Sequence, residues 1–124
     1  MIGHLEKTVI DCPDPRVLAA FYCQILGMRV NEDSEDWVVI GSEPGMRQVA
    51  FQRAEHWVPP RWPDPERPQQ MHLDVRVADA DVAEQQLLAL GARRVQARRE
   101  TGFRVFLDLV GHPFCIVFGG PAHS

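Results

Sequence analysis

No apolar run in the 124 residues approaches the roughly eighteen needed to cross a bilayer. The opening stretch, MIGHLEKTVIDCPDP, also lacks the positive region and apolar core of a secretory leader. These absences imply a soluble, cytoplasmic chain with no membrane role. Cysteine is scarce, and Cys12, Cys23 and Cys115 form no CxxC or paired spacing. An odd, scattered set fits reduced thiols rather than a disulfide framework. Surplus positive charge is missing too: 13 Lys and Arg stand against 17 Asp and Glu, a net charge of -4. That removes the basic excess on which nucleic-acid binding draws.

What is present is enough apolar residue, 45% of the chain, to build one core, in a length too short for two independent ones. A single domain over residues 1–124 is expected. Its organisation shows in a repetition. His4 to Asp11 reads HLEKTVID and His72 to Asp79 reads HLDVRVAD, with the same spacing from histidine to aspartate and the same leucine behind the histidine.

From Leu5 to Asp11 the residues alternate, the period of a strand. Asp14 and Pro15 then open a helix, aspartate as the cap and proline at the first position, where no hydrogen bond is asked of it. Arg16 to Leu26 carries Val17, Leu18, Phe21 and Ile25 on one stripe, and Gly27 supplies a left-handed stop. Three strand-like runs follow, at Met28 to Val30, Trp37 to Gly41 and Gln48 to Arg53, separated by turn residues. The second half repeats this order. Met71 to Val77 forms a strand, and Asp79 or Asp81 caps a helix with Ala83, Leu87 and Leu90 on its face. Gly91 stops it, and strands follow at Arg93 to Ala97, Phe103 to Leu109 and Pro113 to Phe118.

The reading is therefore two βαβββ modules, 4–54 and 70–119, at a period of about 68 residues, too long for a solenoid. A proline-rich connector, 55–69, is stiff and extended. Its Trp57 and Trp62 are expected to pack against the domain, a partner subunit or a ligand.

In the order of its parts the chain resembles the vicinal oxygen chelate superfamily, which takes in glyoxalase I, bleomycin-resistance proteins, fosfomycin-resistance enzymes and extradiol dioxygenases. The likeness rests on the paired histidine-to-aspartate openings, on DPRVLAAFYCQILGM and VADADVAEQQLLALGA as the two helices, and on DLVGHPFCIVF as the closing strand. It is most similar to a glyoxalase-like branch. The resemblance implies an α+β fold in which two βαβββ modules form a cupped, curled mixed β-sheet with helices outside. It also implies a homodimer, and in metal-dependent members one divalent ion held by the first and last strands of each module.

Carried over residue by residue, the resemblance places His4 and His72 at the first-strand ligand positions. Gln52, in VAFQRAEHW, and Cys115, in GHPFCI, stand where the family has glutamates. A His, Gln, His, Cys set favours zinc, nickel or iron over magnesium or manganese, with charge supplied only by a Cys115 thiolate. Glu6 and Asp74, two residues beyond each histidine, offer further charge. Glyoxalase-type isomerisation relies on a carboxylate at the metal as base, and an amide and a thiol replace it poorly.

Three readings follow. In the first, a small organic molecule binds without a metal cofactor, in a pocket lined by Glu6, Gln48, Gln52, Trp57, His72, Asp74, Arg76, Arg104 and Phe106. In the second, a diverged lyase, isomerase or dioxygenase uses His4 and His72 on a metal. In the third, the chain is a dimeric structural or partner-binding subunit. The bland reading of the same residues is a solvated His4, a hydrogen-bonded His72, a Gln52 that satisfies backbone, and a Cys115 that fills space.

Overall fold

Alternation near the start of the chain is realised only where a neighbouring strand exists to receive it. In the computed structural model, which describes residues 1–61, 64–96 and 101–120, β1 spans Thr8–Cys12. Its ladder begins at Thr8 opposite Val49, so the Leu5 to Lys7 segment that alternation included lies outside the strand. α1 follows over Pro15–Leu26, with Asp14 as cap accepting from the Val17 amide at 3.4 Å and Gly27 left-handed at φ 65. Then come β2 at Arg29–Asp33, β3 at Trp37–Gly41 and β4 at Val49–Arg53. The sheet order is β1-β4-β3-β2, with β1 parallel to β4 and the other pairs antiparallel.

α1 buries Leu18, Ala19, Phe21 and Tyr22. Tyr22 stacks on Phe51 of β4 at 5.6 Å and meets Phe21 edge-on at 5.1 Å. Val17, placed on the buried stripe from its spacing, is 52% exposed. The aromatic pair turns the helix toward Ala19 and Tyr22 instead.

The second unit begins at Pro59, the first ending at Val58. It contains β5 at Leu73–Arg76, α2 at Ala80–Ala89, β6 at Arg93–Val95, β7 at Phe103–Leu107 and β8 at Pro113–Val117. The order is β5-β8-β7-β6, again with its first and last strands parallel. Asp79 is the cap, accepting from the amides of Asp81 and Val82 at 3.0 and 3.1 Å. Ala83 and Leu87 are buried, whereas Leu90 is 37% exposed. Asp108 is buried and closes the β7 to β8 turn, taking the amides of Val110 and His112 on one carboxylate oxygen at 3.0 and 2.9 Å. Trp62, and Ala97 at the expected end of β6, lie outside the described residues.

The two α+β units match strand for strand, and their ladders fix the true period. Thr8 and Leu73, Val49 and Phe114, and Pro15 and Ala80 occupy equivalent places, each pair 65 positions apart. The repeated histidines are 68 apart and therefore three residues out of step. Among the described residues, no helix is long and apolar enough to cross a membrane.

Candidate functional site

Side chains of paired residues on neighbouring strands share a face, and alternate residues along a strand change face. In the second unit, α2 covers the face carrying Phe106, Phe114 and Ile116. Phe106 stacks on Phe114 at 5.8 Å, and both are fully buried. Arg104 and Arg94 reach from this face to the helix: Arg104 contacts Asp81 at 2.9 Å and Glu84 at 3.2 Å, and Arg94 contacts Glu84 at 3.1 Å. The Asp81 carboxylate holds the Arg104 guanidinium charged by raising its already high pKa.

The opposite face carries His72, Asp74 and Cys115. Asp74 of β5 is the register partner of Cys115 on β8, which in turn is opposite Val105 on β7. His72, two residues before Asp74, falls on the same face. The imidazole Nε2 lies 3.2 Å from the Asp74 carboxylate, and one donor atom from each of His72, Asp74 and Cys115 lies within 4.8 Å of the others. Cys115 is 4% exposed in an apolar cluster with Phe103, Val105 and Val117. The His72 and Asp74 side chains are open, at 23% and 41%. One thiol is thus set in an apolar floor beside a half-exposed imidazole and a carboxylate.

The first unit offers nothing like this at matching positions. Sixty-five residues before His72, Asp74 and Cys115 stand Lys7, Val9 and Ala50. The Lys7 ammonium pairs with Glu6 at 3.2 Å and sits 5.6 Å from the Trp37 ring centre. Arg47 bridges Glu6 and Glu32. Hydrogen bonds from Lys7 to Glu6 and from Arg47 to Glu32 hold both carboxyls below the usual carboxylate range. The symmetric histidine pair is corrected accordingly. His4 is exposed ahead of β1, and the structural counterpart of His72 is a cation. A four-donor site repeated across both modules does not fit these residues. The ammonium of Lys7 would repel a divalent ion, and Ala50 has no donor.

The other expected pocket residues scatter. Gln52 is exposed on β4, opposite Asp11 and Trp37. Gln48 accepts the Ser42 amide at 2.6 Å and serves its loop. Trp57 is half-buried after β4. Arg76 shares the His72 face and donates to the Gly119 carbonyl at 2.8 Å. Arg104 and Phe106 are a further correction, because both lie on the helix-covered face. The ladder sets Val105 opposite Cys115 and Phe106 opposite Phe114, so Phe106 lies on the other face of β7 from Cys115. Lys7 was missed altogether. Alignment on the helix caps Asp14 and Asp79, instead of on the histidines, points to it directly.

A cleft of about 310 Å³ opens at the β6 end of the second unit. Pro59, Pro60, Leu107 and Leu109 form apolar walls, and Arg61 and Arg93 supply charge. Arg93, Leu107 and Pro113 form one cross-strand row on the His72 face. Neighbouring strands are about 4.8 Å apart, so Leu107 stands roughly 10 Å from the β5 strand that carries the donors.

Comparison with known proteins agrees with this architecture. A family model described as a glyoxalase-like domain matches residues 7–117. A glyoxalase/bleomycin resistance protein/dioxygenase family enzyme from Burkholderia phytofirmans PsJN superposes with a TM-score of 0.69 at 20% identity, over 94% of this chain and 98% of that one. The genomically encoded fosfomycin resistance protein FosX from Listeria monocytogenes gives 0.70 at 15% identity, over 96% and 95%. The trypanothione-dependent glyoxalase I of Leishmania major gives 0.64 at 14% identity, over 94% and 86%. No curated protein matches the sequence significantly. These identities speak for the fold alone, while the sequence match spans nearly the whole chain. The chain belongs to the glyoxalase-like domain family, within the vicinal oxygen chelate superfamily.

Proposed function

We propose that the protein binds a small organic anion with an apolar body on the face of its second module opposite α2, and that it does not perform glyoxalase-type isomerisation. The carrying observation is the cleft beside the His72 face, whose proline and leucine walls are accompanied by Arg61 and Arg93. A volume of about 310 Å³ lies at the small end of ligand pockets, which pair apolar walls with a few placed polar groups. The second half of the proposal rests on the absence of a carboxylate at Ala50 and Cys115, where two equivalent last strands would present one each. We place the protein in the cytoplasm as a homodimer, its association state to be read by light scattering.

The test uses chelator-treated protein and a panel of monocarboxylates from benzoate to decanoate, with the matching amides as controls for charge. The carboxylates are expected to raise the melting temperature and the amides to do so less, because binding to the folded state alone stabilises it. Leu107→Trp, which fills the cleft, and Arg93→Ala should each abolish the difference. Equal shifts for acids and amides, or shifts untouched by both variants, would remove the reading. The metalloenzyme reading gains support only from the proximity of His72, Asp74 and Cys115.

A further inference from the structure

We infer that Gly91 and Gly111 are positioning residues for the cleft: lacking side chains, they hold two of its walls back, at a width that suits a carboxylate built on a ring over one built on a straight chain. Gly91 follows α2 and Gly111 lies in the β7 to β8 turn, both left-handed at φ 102. A Cβ on Gly91 would stand 2.9 Å from a δ-methyl of Leu109, and a Cβ on Gly111 would stand 3.0 Å from the Cβ of Pro59. Among the described residues, neither Cβ would come within 4 Å of any other residue beyond its chain neighbours. Leu109 and Pro59 are walls of the cleft, whereas Gly91 does not line it.

Both turns are pinned, so their backbones cannot absorb an added methyl. The Gly91 amide donates to the Leu88 carbonyl at 3.1 Å and the Ala92 amide to the Leu87 carbonyl at 3.0 Å. In the β7 to β8 turn the Asp108 amide donates to the His112 carbonyl at 2.9 Å and the Gly111 amide to the Asp108 carbonyl at 3.3 Å. The buried Asp108 carboxylate takes the Val110 and His112 amides as well. The wall residue must give instead. Leu109 does so by rotating a flexible side chain, while Pro59, its ring closed on the backbone, moves only with the connector. The shape of the ligand body follows from the walls. Pro59 and Pro60 present stiff ring faces, and the guanidiniums of Arg61 and Arg93 stack on aromatic faces as well as pair with carboxylates. A planar ring fills the breadth that the glycines leave open, where a straight chain needs only a narrow groove. The inference rests on the anion-binding reading of this cleft and adds to it the shape of the ligand body and, in Gly91, a determinant outside the lining.

The probes are benzoate, hexanoate and their amides, titrated by calorimetry into chelator-treated, full-length protein. Wild type is expected to favour benzoate. Gly91→Ala drives Leu109 inward and should weaken benzoate relative to hexanoate roughly tenfold, the discrimination that one methyl group makes in an apolar pocket. In a Leu109→Ala background the same change should leave the ratio unmoved, although the strain of a side chain at positive φ lowers the melting temperature in both backgrounds. That coupling separates positioning of the wall from a defect in the fold. Gly111→Ala, with and without Pro59→Ala, forms the matching pair. Leu109→Ala alone strains no backbone and should bind 2-naphthoate more tightly than wild type does, so the wall is read even where Gly91→Ala fails to fold. A Gly91→Ala protein with an unchanged ratio overturns the inference, as does a changed ratio that persists without the Leu109 side chain, or a wild type that prefers hexanoate. Wild-type protein that takes acids and amides equally removes the anion reading alone, because the ring-to-chain ratio is read among the amides too.

Discussion

The two modules share a topology yet differ in what each face of the sheet is for. In the first, α1 is held by apolar contact, with Leu18 and Ala19 fully buried and Tyr22 stacked on Phe51. In the second, α2 buries only Ala83 and Leu87 and is tied by Arg94 and Arg104 to Glu84 and Asp81. The faces opposite the helices are reversed in character. The first module's is closed by the Lys7, Glu6, Arg47 and Glu32 ion pairs, and the second's carries His72, Asp74 and Cys115. The two modules have thus kept the same hydrogen-bond ladders while presenting different side chains on the face opposite the helix.

The sharpest way to break this contrast is Phe51→Ala. Removing a fully buried ring that also supports Tyr22 is expected to cost about 3–5 kcal/mol in urea unfolding. A loss below about 1 kcal/mol would deny α1 its apolar attachment. Glu84→Ala should cost about 1–3 kcal/mol, since it strips charge-assisted bonds from two largely covered guanidiniums. Its counterpart on the first module, Asp33→Ala, breaks the exposed Arg16 pair at 2.9 Å and should cost about 0–1 kcal/mol. Equal losses would erase the distinction between the two helix attachments.

Smaller again are the caps. Asp79→Ala is expected to cost about 1 kcal/mol and Asp14→Ala less, because Asp79 receives two amides and Asp14 one, the latter at 3.4 Å. Thermal melts of the two variants would show the order. Smallest is the acid response of the first module. Glu6 and Glu32 have pKa values lowered from 4.5, so their pairing stabilises above the unfolded pKa and is lost as pH falls through the lowered folded value. Unfolding at stepped pH below neutrality should show this loss diminish in Arg47→Gln, and shrink in high salt, as expected for exposed charges.

Much of the architecture was legible in the sequence because local chemistry and packing agree there. Asp14 with Pro15 and Gly27 delimit α1, and Trp37 to Gly41 is a strand from end to end. The site was legible only in part. His72, Asp74 and Cys115 stood among the expected residues, but their grouping depends on strand register, which alternation within one strand does not fix. The histidine repeat misled because its first copy precedes the ladder, where nothing constrains His4. Arg104 and Phe106 were misplaced for a related reason. Phe103 to Leu107 is buried or half-buried on both faces, so hydrophobicity gives no sign of which face meets the helix.

The most direct test is a crystal structure of chelator-treated protein grown with benzoate, the smallest carboxylate of the panel. The expected result is the carboxylate beside Arg61 and Arg93, with the ring against Leu107 and Leu109. Benzoate absent from this cleft, or seated on the first module instead, would contradict the claim that the second module carries the ligand site.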